Sequence, residues 1–94
     1  PAVAQTATPS QTETLGRSMR DPGNHDDTYA YVRACIAARD YEAAIAALER
    51  LLAYNPRLSR VRYELGTLYM RLGSYAMAVK YFDEVLADPL IDVP

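Results

Sequence analysis

The sequence predicts an all-α fold built from antiparallel helix–turn–helix repeats. Three observations lead there. The pattern of the chain returns after 34 residues. Inside each return, apolar residues recur at three and four residues, the spacing of one helix face. Turn-forming residues separate those stretches: Gly73, Asn55-Pro56 and Asp88-Pro89.

The elements follow in order. Residues 1–11 are Pro, Ala, Val, Gln, Thr and Ser without a charge. Such a stretch buries too little apolar surface to offset its chain entropy, so it is expected to be a disordered linker. Its Ala2-Val3-Ala4, followed by Gln5, has the small-x-small form of a signal-peptidase site, which suggests an exported chain. Residues 12–22 carry Leu15 and Met19, and Pro22 stands one repeat length before Pro56. They are expected to form a short helix, the remnant of a degenerate half-repeat.

Residues 25–58 form the first full unit and residues 59–92 the second. Tyr41 falls on Tyr75, Ala44 on Ala78, Ile45 on Val79, Leu48 on Phe82 and Leu52 on Leu86. Leu65, Leu68, Tyr69 and Leu72 line the helix before the last one. Asp40 and Ser74 are expected N-caps, where a side-chain oxygen accepts an orphan backbone N–H. Gly73 suits a left-handed C-cap. The prolines after Asn55 and Asp88 end the second helices. Residues 93–94 read as a truncated connection.

Composition excludes several functions. Ten basic and twelve acidic residues give a net charge of −2, without the basic footprint of a nucleic-acid binder. One Cys and one His leave no disulfide framework or metal cluster. No apolar run approaches the roughly 20 residues of a membrane span. His25-Asp26-Asp27 cannot converge on one ion as they enter a helix, so Asp26 or Asp27 is expected to be an N-cap or dipole partner. Cys35 reads as a small buried hydrophobe. Glu42, Glu49, Glu64, Asp83 and Glu84 read as solvated faces. No catalytic residue, metal ligand or cofactor site is expected.

The second unit resembles the tetratricopeptide repeat through Leu65-Gly66, Tyr69, Gly73, Tyr75, Ala78, Phe82 and Pro89. The first matches through Tyr41, Ala44, Leu48 and Pro56, and departs at Val32, Cys35 and Arg39, where the family places a small residue, an aromatic and a glycine. The resemblance implies a short right-handed superhelix with the first helix of each unit on the concave side. A protein or peptide partner would then meet Asp26, Tyr29, Arg33 and Ile36 on one helix, and Arg60, Tyr63, Thr67 and Met70 on the next. The Lys and Asn clamp that some relatives use for acidic tails is absent: its positions hold Tyr29, Arg33, Tyr63 and Thr67.

The run from Met19 to Pro89 also resembles the N-terminal periplasmic repeats of bacterial outer-membrane β-barrel proteins such as surface lipoprotein assembly modifiers. That likeness implies a periplasmic or exported setting. The alternative is a cytoplasmic, co-chaperone-like or regulatory adaptor, and an enzyme's accessory domain is a third reading. Val79, Phe82 and Val85, followed by Leu90 and Ile91, leave an apolar end through which the isolated fragment is expected to form a homodimer.

Overall fold

A computed structural model of the chain describes residues 6–90. The Ala2-Val3-Ala4 segment, Ile91 and the connection at 93–94 lie outside the described residues. The described chain is helical throughout: α1 (Pro9–Arg20), α2 (His25–Ala37), α3 (Tyr41–Tyr54), α4 (Ser59–Arg71) and α5 (Tyr75–Leu86). No strand occurs among the described residues. The fold is an all-α helical repeat. Contacts group it into two compact units, Pro1–Ala47 and Leu48–Pro94, so the division falls inside α3.

In the first unit α1 packs on α2. Its helix starts earlier than the composition suggests, at Pro9 instead of beyond Gln11. Thr8 supplies the reason. Its hydroxyl accepts the backbone N–H of Gln11 at 3.2 Å, and the Gln11 side chain accepts the backbone N–H of Thr8 at 2.9 Å. This reciprocal capping box satisfies two orphan donors, and Pro9 brings a φ already suited to the first helical position. Gln11 is only 1% exposed, although the sequence reading places it in a linker. Met19 points the other way and is exposed. The buried residues of α1 are therefore polar, Gln11 and Ser18, with Leu15 half-buried beside them. They face α2, whose buried residues are Thr28, Tyr31, Val32 and Cys35.

In the second unit α4 packs on α5. The fully or nearly buried side chains here are Leu48, Leu51, Val61, Leu65, Leu68, Ala78, Tyr81 and Val85. Burying one such aliphatic side chain contributes about 1.5–3 kcal/mol. Gly66 sets the closest approach of the pair. A Cβ at that position would lie 2.5 Å from Cε1 of Phe82, so the ring occupies the space a side chain would need.

The 34-residue period reappears in the backbone. Arg39 N–H donates to the Ile36 carbonyl at 2.9 Å and Asp40 N–H to that of Cys35 at 2.8 Å. One repeat later Gly73 donates to Met70 at 3.0 Å and Ser74 to Tyr69 at 2.9 Å. Both are Schellman turns, in which the residue after the cap is left-handed. Gly73 has φ +75° and Arg39 has φ +59°. The first unit thus keeps the turn without its glycine. The turns after α1 and α3 also correspond: Asn24 N–H donates to Asp21 at 3.0 Å, and Leu58 N–H to Asn55 at 3.4 Å. The segment before α2 therefore follows the same period as the two full units.

Two expected caps change. Asn24, not Asp26 or Asp27, caps α2, accepting Asp27 N–H at 3.1 Å; Asp26 and Asp27 sit in the first turn, where they oppose the positive end of the helix dipole. Ser74 occupies the cap position of α5 without a side-chain hydrogen bond to it. Asp40 does cap α3, accepting Ala43 N–H at 3.3 Å.

Candidate binding surface

The two first-helix stripes are each laid out by helical spacing. On α2, Asp26 and Arg33 are exposed while Tyr29 and Ile36 are half-buried. On α4, Arg60 and Met70 are exposed and Thr67 is half-buried. Tyr63 is 57% exposed. Each stripe belongs to its own compact unit.

The α4 stripe has the better defined chemistry. The Tyr63 ring rests against Phe82, with centroids 5.8 Å apart and planes tilted by 52°. That contact restrains an exposed aromatic before anything binds, which reduces the ordering cost of association. Arg60 Nε sits 3.2 Å from Glu64 Oε1, one turn on, so its charge is partly balanced. Thr67 donates its hydroxyl to the Tyr63 carbonyl at 3.1 Å, which leaves that oxygen as an acceptor for a partner. With Met70 at its end, the stripe offers a large apolar area and a few directional groups, the chemistry of peptide and protein contacts.

Two polar clusters escaped the sequence reading. Glu49, read there as solvated, accepts the Tyr69 hydroxyl at 3.2 Å and the Tyr81 hydroxyl at 3.0 Å. The two rings stack at 5.9 Å and 11°. Burial, then the hydrogen bond to the Glu49 carboxylate, pushes Tyr81 up to about 12; burial and the same carboxylate raise Tyr69. The raised Tyr81 contributes stability that is complete below about pH 10 and is lost as pH climbs through its folded value. This network ties the second half of α3 to α4 and α5.

In the first unit, the Gln11 amide donates to Asp40 Oδ2 at 3.0 Å and contacts Cys35 Sγ at 3.5 Å. The start of α1 is thereby fastened to the turn that opens α3. Cys35 is fully buried, as its reading as a small hydrophobe expects.

An open depression of about 280 Å³ lies at the far end of the second unit, near Arg57, Arg62, Glu84 and Asp88. Three of its charges already serve the fold. Arg62 Nε lies 3.7 Å from Glu84, and the Ser59 hydroxyl donates to Asp88. That hydroxyl, with the backbone N–H of Leu90, holds the Asp88 carboxyl below its ordinary value.

At the apolar end, Val79 and Leu90 are exposed and Phe82 is half-buried against Gly66. Val85 departs from expectation: it is buried on the inner face of α5 and is not available to a second molecule. Among the described residues no group of three or more His, Cys, Asp or Glu could hold a metal ion. No helix among them is long and apolar enough to cross a membrane.

A family model described as the tetratricopeptide repeat matches residues 29–90. No curated protein matches the chain. Tetratricopeptide repeats are non-catalytic interaction modules that bind proteins or peptides. The matched stretch runs from within α2 to the turn after α5 and takes in both Schellman turns, Gly66 with Phe82, and the stripe of α4. The chain belongs to the tetratricopeptide repeat family.

Proposed function

We propose that this chain captures a protein or peptide partner on its first-helix stripes: Asp26, Tyr29, Arg33 and Ile36 on α2, and Arg60, Tyr63, Thr67 and Met70 on α4. The observation that carries the reading is Tyr63, exposed at 57% yet braced against Phe82. Large, restrained aromatics with a hydroxyl at the rim are the residues that most often anchor interfaces. Recognition is by area and hydrogen bonding. Arg33 and Arg60 supply positive charge for an acidic group on the partner.

In its parent protein the module works in the periplasm, holding a partner beside an outer-membrane or secretion machine. The small-x-small segment at Ala2-Val3-Ala4 and the likeness of Met19–Pro89 to periplasmic repeat regions support that setting. The isolated chain also pairs with a second copy through α5, a reading supported by exposed Val79 and Leu90.

The test of the binding surface is a pull-down with the immobilised chain against the Tyr29→Ala/Arg33→Ala/Tyr63→Ala variant. Circular dichroism melts confirm that the variant is folded. Partner recovery is expected to fall at least about tenfold, since truncating a hot-spot residue costs about 2 kcal/mol or more. Equal recovery by both proteins overturns the assignment.

A further inference from the structure

The exposed side of α5 forms a stripe. Tyr75, Val79 and Leu86 are exposed and Phe82 is half-buried between them, at spacings of four, three and four. That is the seam spacing of a helix that packs along another helix. The internal repeat makes the point sharper. The equivalents on α3 are Tyr41, Ile45, Leu48 and Leu52. Ile45 is 6% exposed where Val79 is 57%, and Leu48 is fully buried where Phe82 is half open. The same residue pattern is thus covered once and open once.

The residues beside the stripe select its occupant. Ala76, Lys80 and Asp83, with the C-cap Ala87, run along one flank of α5, and all four are exposed. Read backwards, the flank is its own complement: alanine meets alanine, and lysine meets aspartate. An antiparallel copy presents the same flank in reverse order. A parallel two-fold copy would instead turn its opposite flank toward this one, and Lys80 and Asp83 would not pair. Glu84, the neighbouring acid, is already drawn to Arg62 at 3.7 Å, so Asp83 is the carboxylate left to face outward on this flank. Lys80 rests its ammonium 5.1 Å from the Tyr81 ring centre, at an exposed position from which its flexible stem can turn.

We propose that α5 pairs antiparallel with α5 of a second copy, about a two-fold axis. Val79 seats between the partner's Phe82 and the partner's Leu86, and Lys80 pairs with the partner's Asp83 on the flank. The proposal rests on the self-association reading above and adds its geometry. A two-fold contact of this kind is isologous and closes at two copies. One helix pair buries less than the roughly 1,200–2,000 Å² of a stable complex, so the dimer is weak.

Sedimentation equilibrium of the full chain, from about 10 µM to about 1 mM, tests it. A monomer–dimer equilibrium is expected. Asp83→Lys alone, and Lys80→Asp alone, are each expected to weaken it about tenfold by placing like charges together. The Lys80→Asp/Asp83→Lys swap is expected to return it to within about threefold of the parent. Val79→Arg is expected to leave a monomer. A monomer throughout the range overturns both self-association and this geometry. A dimer that the charge swap fails to rescue, or that survives Val79→Arg, overturns the geometry and leaves self-association standing. All the substituted positions are exposed, and melting curves report whether each variant is folded.

Discussion

The α1–α2 pair and the α4–α5 pair are both helices packed side by side, and they are held by different means. Between α4 and α5 the contact is apolar and shaped, with Phe82 filling the place of a missing side chain at Gly66. Between α1 and α2 the buried residues of α1 are Gln11 and Ser18, and the Gln11 amide reaches Cys35 of α2 and Asp40 just beyond that helix. Apolar packing adds stability roughly in proportion to area, about 25 cal/mol per Å². A hydrogen bond adds only about 0.5–1.5 kcal/mol net, yet leaving a buried partner unsatisfied costs about 1–3 kcal/mol. The first pair is therefore specific and loosely held, and the second is strong and intolerant of volume.

The sharpest way to break the comparison is to fill Gly66. Gly66→Val places a branched side chain where the Phe82 ring lies and is expected to cost about 2–3 kcal/mol, read as a lower urea midpoint. The repeat supplies the remedy. The equivalents of Gly66 and Phe82 are Val32 and Leu48, so Gly66→Val/Phe82→Leu rewrites the second unit in the residues of the first. Recovery of at least half the loss is expected. An unchanged midpoint in the single variant would show that Phe82 swings aside freely.

Gln11→Ala comes next. It removes the donor to Asp40 and the acceptor for Thr8 N–H together. The expected cost is about 2 kcal/mol, felt first as faster hydrogen exchange across α1 with α4 and α5 unchanged. Uniform acceleration across all five helices would contradict the division into two kinds of fastening.

The smallest effect comes from the two turns. Arg39 holds a left-handed φ that disfavours a side chain by about 1–2 kcal/mol, whereas Gly73 adopts it without that strain. Part of any gain from glycine is returned through the more flexible unfolded chain. Arg39→Gly is expected to raise stability by about 0.5–1 kcal/mol and Gly73→Ala to lower it by about 1 kcal/mol. Shifts of the same sign in the two melts would mean that the turns are not equivalent.

Much of the fold was legible because repeats repeat local signals. The apolar spacing of α3 and α5, the glycine at 73 and the prolines at 56 and 89 each act within a few residues. The polar fastenings were not legible in the same way. The partners of Glu49 lie 20 and 32 residues away, and spacing along one helix does not show which distant hydroxyls converge on it. Gln11 had a local signal that average composition hid, the Thr8-Pro9-Ser10-Gln11 capping box. Val85 was misassigned because α5 is apolar on two sides. Ala78, Tyr81 and Val85 face inward, Tyr75, Val79 and Leu86 face out, and both sets follow helical spacing.

Cys35, fully buried with the Gln11 amide at 3.5 Å from its sulfur, makes the first unit self-reporting. A thiol reagent in solution reaches that sulfur only in the moments when local structure opens. When reclosing outpaces the chemistry, the labelling rate counts the equilibrium population of such openings, with no dye or mutation needed. A ligand that steadies the first unit would slow the modification. A lone cysteine, unremarkable as a residue, thus serves as a clock for how often the first unit opens.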